Sequence, residues 1–269
     1  MPTAIVNGVR LQYLEQGSVG QPLVFLHGFA MSSRAWNEVL TLLPDGFHGY
    51  AIDQRGFGES ERPGDYSLGQ LAEDVHRFAE AAGIGKFTFI GHSMSGLIGL
   101  RLALLHPEML NALVLVAPVP VRGVEMTQEI NSIMHSTGMV SRQTGTATMV
   151  WSAESVQAFI PKMFAIPPRN ERMQEFIDDA MRMDRRAIKD CLGWILSPDV
   201  GGQLQDVGVP TLVVAAGRDI IPVDMIRSAA LEIKDCRIEV FEEEGHTLFV
   251  ESPGRFVALL TEFIARANS

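Results

Sequence analysis

The sequence predicts an α/β fold: a mostly parallel β-sheet flanked by helices, with a helical segment inserted after the sixth strand. Three observations predict it. Short apolar runs of strand length alternate with longer segments whose apolar residues recur at helical spacing. The connections between them are short, as in a parallel sheet covered by crossover helices on both faces. The alternation then breaks between about Pro120 and Gln205, where no strand-like segment is read, and resumes afterwards.

The elements follow in order. Thr3–Val6 and Val9–Leu14 flank Asn7-Gly8, a pair that suits both central positions of a type I′ turn, so the chain opens with a hairpin. Pro22–Leu26 is an apolar strand ending at His27-Gly28. Ser33–Leu43 carries Trp36, Val39, Leu40 and Leu43 at helical spacing. Gly49–Ile52 is a strand that stops at Asp53, and Leu68–Ala82 a helix through Leu71, Val75 and Phe78. Phe87–Ile90 is the fifth strand, Met94–Leu105 a helix closed by Pro107, and Leu113–Val116 the sixth strand. After the insertion come a strand at Thr211–Ala215, a helix from about Val223, a strand at Arg237–Phe241 and a last helix from Pro253 to about Ala267. Residues 1–119 and 206–269 are thus expected to form one core. Residues 120–205 leave it at the carboxyl end of a strand, where such sheets carry their sites, and are expected to form a helical lid.

Bulk properties narrow the function. Apolar residues make up 46% of 269, enough for a large core, and the formal net charge is −10. An acidic chain with no Lys/Arg run argues against nucleic acid and against anionic membranes as partners. Two cysteines, Cys191 and Cys236, make no disulfide scaffold. No secretory leader and no span of about 20 apolar residues is read, so the expected location is cytoplasmic.

The strongest chemical signal is Phe89-Ile90-Gly91-His92-Ser93-Met94-Ser95-Gly96, where a strand meets a helix. A serine on so sharp a turn is strained, with its hydroxyl exposed above the sheet. The turn needs small residues two before and two after, and Gly91 and Ser95 supply them around Ser93. With Ser95 as nucleophile, Leu97 would fill a small position, so that register is disfavoured.

Four motifs together resemble the α/β-hydrolase superfamily, especially its small capped serine esterases, cofactor-free haloperoxidases or perhydrolases, and carbon–carbon bond hydrolases. They are the Ser93 turn, His27-Gly28-Phe29 (similar to the family's oxyanion loop), Asp53-Gln54-Arg55-Gly56-Phe57-Gly58-Glu59-Ser60 (similar to its Asp-x-Arg-Gly-x-Gly-x-Ser turn) and Gly245-His246. The resemblance covers the chain outside the insertion and implies acyl transfer without a cofactor or metal.

A serine hydroxyl needs an adjacent base. Of seven histidines, His246 alone follows the last strand, where the family carries its base. His27 reads as structural, and the His92 side chain is expected to point away from the site. The acid should lie between serine and histidine in chain order. Asp219, after the Thr211–Ala215 strand, fits; Asp224, in the first turn of the next helix, is the competitor. The Asp219-to-Pro222 spacing is one residue shorter than the family's usual pattern. The resemblance implies that the backbone N–H groups of Phe29 and Met94 hold the oxyanion. Asp53 and Arg55 read as a structural turn tied by an ion pair.

The insertion holds eight of the thirteen methionines (Met126, Met134, Met139, Met149, Met163, Met173, Met181 and Met183). Most must be packing, but flexible thioethers also suit an adaptable apolar pocket. Trp151, Phe159, Met163 and Trp194 are the candidates to line it. No Cys/His pair has metal-ligand spacing. The expected function is hydrolysis of a small, moderately apolar carboxylic ester or lactone through an acyl-serine, with perhydrolysis or carbon–carbon cleavage on the same residues as alternatives. A second class stays open: Gly91–Ser95 and Gly96-Leu97-Ile98-Gly99 mildly resemble the plant-hormone-receptor and bacterial stress-regulator branch, whose members turn over slowly.

Overall fold

The computed structural model describes residues 1–123, 127–143 and 146–267. Among the described residues, eight strands form one sheet in the order β1-β2-β4-β3-β5-β6-β9-β10. These are β1 (Thr3–Val6), β2 (Val9–Gln16), β3 (Gln21–Leu26), β4 (Phe47–Ile52), β5 (Phe87–His92), β6 (Leu110–Val116), β9 (Thr211–Ala216) and β10 (Cys236–Phe241). β2 runs antiparallel to β1 and β4; every other pairing is parallel. Asn7 and Gly8 both take positive φ, 51° and 74°, as the opening hairpin requires.

Parallel strands covered on both faces are buried along their length, and their alternate residues separate into two cores. Val24, Leu26, Leu113, Leu115, Val213 and Ala215 face one apolar cluster, with α2 (Leu68–Ala81), α3 (Met94–Leu105) and α8 (Val223–Ala230) packed over it. Leu23, Phe25, Val114, Val116, Leu212 and Val214 face the other, under α1 (Asn37–Thr41), α9 (Leu248–Glu251) and α10 (Pro253–Ala267). The helix expected over 33–43 is split: Ser33–Trp36 is a 3-10 turn, and only then does α1 begin. Ser33 N–H is held by Asp53 Oδ1 at 2.6 Å, which ties that turn to the end of β4.

The segment 120–205 contains α4 (Gln128–Ser136), α5 (Ala153–Phe159), α6 (Asn170–Arg182) and α7 (Arg185–Leu196). It also contains a two-stranded hairpin that the sequence did not predict, β7 (Val140–Gln143) paired antiparallel with β8 (Thr146–Met149). Four-residue strands of mostly polar sequence carry too few apolar positions to display a period of two, so the pattern was missed. Met126 lies outside the described residues. Ala187, Ile188 and Cys191 of α7 join the first core, while Val156 of α5 and Phe176 and Ala180 of α6 join the second. The segment is therefore anchored to both faces of the sheet. Among the described residues, no helix is long and apolar enough to cross a membrane.

Candidate active site

Ser93 is the single residue between β5 and α3, and it takes φ 54°, ψ −117°. A non-glycine residue at positive φ is strained, and such strain persists only where neighbours over-determine it. Here they do. Ser93 N–H bonds to Val116 O at 2.9 Å, and Ser93 O accepts from Gly96 and Val119 at 2.9 and 3.1 Å. A Cβ at Gly91 would lie 2.5 Å from Ser95 O, so that position must lack a side chain.

Two further loops at the carboxyl ends of the sheet meet this serine. His246, five residues past β10, brings Nε2 to 2.9 Å from Ser93 Oγ. Asp219, three residues past β9, places Oδ1 and Oδ2 at 2.8 and 3.0 Å from His246 Nδ1. With a carboxylate at Nδ1, that nitrogen carries the proton and donates; Nε2 is then free to accept from the serine hydroxyl. Asp219 Oδ1 also accepts from Ile221 N–H at 2.9 Å. This tight Asx turn absorbs the short spacing to Pro222. Both side chains are shielded from water, His246 at 3% and Asp219 at 0% exposure, which strengthens their attraction. The competitor Asp224 is exposed in the first turn of α8, an ordinary place for a helix-end charge.

The loop after β3 passes directly over the serine. A Cβ at Gly28 would lie 3.0 Å from Ser93 Cβ and 2.5 Å from His92 Nδ1, so only glycine fits. His27 is fully buried, with Nδ1 2.8 Å from Gly28 O and Nε2 accepting from Gln54 N–H at 3.2 Å. Burial lowers its pKa against the opposing pull of Asp53 and keeps the ring neutral. By holding the Gly28 carbonyl on one side of a trans peptide, His27 turns the Phe29 N–H to the opposite side. Met94 N–H heads α3 and, as a first-turn amide, has no acceptor within its own helix.

A family model described as alpha/beta hydrolase fold matches residues 21–253. The chain belongs to the α/β-hydrolase family. This hydrolase is 30% identical over 274 aligned residues to a 2-hydroxy-6-oxo-6-(2'-aminophenyl)hexa-2,4-dienoic acid hydrolase of Metapseudomonas resinovorans, covering 97% of this chain and 89% of the relative. An esterase from Exiguobacterium antarcticum superposes with a TM-score of 0.82 at 23% identity over 98% of both chains. The enol-lactonase of Burkholderia xenovorans LB400 superposes at 0.79 with 22% identity, over 98% of this chain and 100% of that one. At such identities the likeness to the two solved structures is one of fold.

Several expectations about this hydrolase need correction. The His92 ring does not point away from the site. It lies 4.7 Å from the His246 ring, and its Nε2 donates to the His246 carbonyl at 2.9 Å. Burial, and then the neighbouring His246, push its pKa well below the ordinary histidine value, so it stays neutral and buttresses the His246 loop. Sequence proximity to Ser93 carried no hint of this, because the contact spans from β5 to the loop after β10. Ser93 itself is only 6% exposed, with the loop after β3 passing close over it. Asp53 and Arg55 do not pair with each other. Arg55 Nη2 bonds to Asp74 on α2 at 2.6 Å, and Asp53 holds the N–H groups of Ser33 and Glu59 at 2.6 and 2.9 Å.

The insertion reaches the site at two places. Trp151 stands edge-on to Phe29, ring centroids 5.4 Å apart, with its indole N–H on Ala180 O at 3.1 Å. Met163 is buried, and its carbonyl accepts from Thr247 Oγ1 at 3.3 Å, next to His246. Glu251 ties these parts together, accepting from Gly245 N–H at 3.1 Å, Thr247 Oγ1 at 3.0 Å and Ile166 N–H at 2.8 Å. Sequence reading missed that anchoring carboxylate, which looks like any acid in a short helix. Phe159 packs half-buried against the second core. Trp194 is held at the Asp53–Tyr66 turn, donating to Tyr66 O at 3.0 Å, which makes it a packing residue of the first core.

Proposed function

We propose that this chain is a serine hydrolase that cleaves a small, moderately apolar carboxylic ester or lactone. The observation that carries the reading is the continuous relay from Ser93 Oγ through His246 to Asp219, at 2.9 and 2.8 Å, on a strained strand-to-helix turn. Similarity over nearly the whole chain to a hydrolase supports it.

The chemistry follows from the donors and acceptors present. Ser93 Oγ attacks the acyl carbon as His246 Nε2 takes its proton, and Asp219 stabilises the imidazolium. The N–H groups of Phe29 and Met94 face the charge that develops on the carbonyl oxygen. The imidazolium then protonates the departing alkoxide, leaving an acyl-Ser93. Water, deprotonated by the same His246, attacks this ester and releases the acid and the free serine. No metal is needed for these steps. In this reading residues 1–119 and 206–269 supply the machinery, and residues 120–205 act as a lid, with Trp151 and the Met163 segment bordering the acyl or alcohol pocket.

A fluorophosphonate probe with peptide mapping tests the nucleophile, and turnover of short nitrophenyl esters tests the reaction. Labelling at Ser93 with multiple turnover is the expected result; no labelling, or labelling elsewhere, overturns the assignment. The likeness to a dienoic acid hydrolase favours one second reading, carbon–carbon bond hydrolysis on the same residues. A panel pairing esters and lactones with 6-oxo-dienoic acids ranks the two by kcat/KM. Turnover slower than ligand release, with a ligand-dependent melting shift, favours the receptor class.

A further inference from the structure

Far from Ser93, two histidines and a glutamate meet where α2 packs against the end of α3. Glu73 and His76 are one turn apart on α2, and His106 caps the carboxyl end of α3. One ligating atom of each lies within 4.8 Å of those of the other two. The two imidazole rings are 4.2 Å apart, centroid to centroid. All three side chains are partly exposed, with His76 Nδ1 turned inward to the cluster.

The bonding within the cluster is incomplete in an informative way. Glu73 Oε1 accepts from Arg77 Nε at 2.7 Å, which leaves Oε2 facing His76 Nδ1 at 3.6 Å. That is too long for a hydrogen bond, and His76 Nδ1 has no hydrogen-bond partner among the described residues. Two ligands at about 2.0–2.1 Å on one tetrahedral zinc stand about 3.3 Å apart. This nitrogen and oxygen are therefore a few tenths of an ångström from sharing an ion. His106 is close enough for side-chain rotation at a partly exposed site to bring it to the same ion. Glu80 Oε1 and Glu108 Oε1 each stand 3.5 Å from an imidazole nitrogen, of His76 and His106 respectively. Arg77 pairs with both Glu73 and Glu80, and the three carboxylates outnumber its single charge, which favours a dication. Two imidazoles with a carboxylate suit a borderline transition-metal ion, whereas calcium and magnesium prefer oxygen alone.

We propose that Glu73, His76 and His106 bind a divalent transition-metal ion of zinc-like preference, with Glu108 or water completing the coordination. The spacing of His76 and His106 in the sequence carries no metal signature; the α2–α3 packing assembles the site. The ion pins α2 to the far end of the helix that begins beside Ser93, about 18 Å away, so it is a structural clamp and takes no part in chemistry at the serine.

Calorimetric titration of the metal-free protein with zinc chloride tests this. One equivalent should bind with micromolar or tighter affinity. His76→Gln and His106→Gln should each weaken binding at least tenfold. At a hundredfold excess over Kd, zinc should raise the wild-type Tm by about 5 °C and calcium should not. Melts of the metal-free variants establish that they fold. The visible spectrum of bound cobalt reads the imidazole ligands in the unsubstituted protein, should a variant fail to fold. No uptake at about 100 μM zinc overturns the proposal, as does equal affinity in wild type and both variants.

Discussion

Replacing Asp219 by Asn probes how His246 is held and whether it acts as the proposed base. The carboxylate is fully desolvated, contacts His246 Nδ1 with both oxygens and takes Ile221 N–H on Oδ1. Asparagine can keep its oxygen where Oδ1 stands, retaining the Ile221 bond, but its NH2 then opposes the Nδ1 proton across 3.0 Å. Flipping the amide brings that NH2 to 2.8 Å from Nδ1 and loses the Ile221 bond, so the clash is relieved by the ring taking the tautomer whose Nε2 carries the proton and whose Nδ1 accepts from the NH2. That ring can no longer accept from Ser93. Separately, the imidazolium formed during attack loses its counter-charge. For unit charges about 4 Å apart at an effective dielectric constant of about 20, this is worth about 4 kcal/mol. The charge term alone is a loss of about 10³ in kcat, and the tautomer term extends it toward about 10⁴. Asp224→Asn removes an exposed helix-end charge and should cost no more than about 1 kcal/mol of stability and less than twofold in kcat. Burst and steady-state kinetics on nitrophenyl acetate, with circular-dichroism melts beside them, give both quantities. An Asp219→Asn enzyme within tenfold of wild type, or a larger loss from Asp224→Asn, refutes the assignment of the acid.

The remaining predictions concern residues around that relay. Ser93→Ala should abolish turnover and probe labelling at unchanged Tm. Ser95→Ala should lose about 1–3 kcal/mol of stability, because Ser95 Oγ donates to the His27 carbonyl at 2.5 Å and accepts from Gln54 Nε2 at 3.2 Å in a buried site; wild-type stability would show those bonds to be idle. His27 and His92 are held neutral with pKa values below the unfolded value of about 6.5, so the unfolded chain binds more protons below that pH. Their contribution is complete above pH about 6.5 and lost as the pH falls toward the folded pKa values, at up to about 1.4 kcal/mol per pH unit for each ring; urea melts from pH 7.5 to 5 should show a shallower slope in His92→Gln. Trp151→Ala should change the ratio of kcat/KM between long and short esters, whereas Trp194→Ala should lower Tm and leave that ratio alone. Equal chain-length profiles in both variants would make the insertion packing material only.

Much of the architecture was legible along the chain because it is written in local periodicity. Helix α3 was read with both bounds correct, and β1 likewise, since a helical stretch ended by Pro107 and a strand ended by Asn7-Gly8 each carry their own stop signals. Strand ends elsewhere extended by one to three residues, as at β6, where Leu110 and Ala112 pair with β5 around a bulge at Asn111 although the apolar run is weaker there. The β7–β8 hairpin left no trace, because a pairing partner rather than an apolar face defines it.

The sequence by itself determined the fold, and it singled out Ser93, Asp219 and His246, which the structure brings within hydrogen-bonding distance of one another. Each sits just past the end of a recognisable strand, and parallel strands deliver their carboxyl ends to one edge of the sheet. Only the tertiary structure decided what surrounds them. That His92 supports the His246 loop, that Glu251 binds the insertion to it, that Arg55 pairs with Asp74, and that Trp151 rather than Trp194 reaches Phe29 are all contacts between distant segments. The same holds for Glu73, His76 and His106. Periodicity specifies which face of an element is buried; which polar side chain meets which across two packed elements depends on their relative rotation and translation, and these are set only when the two cores close.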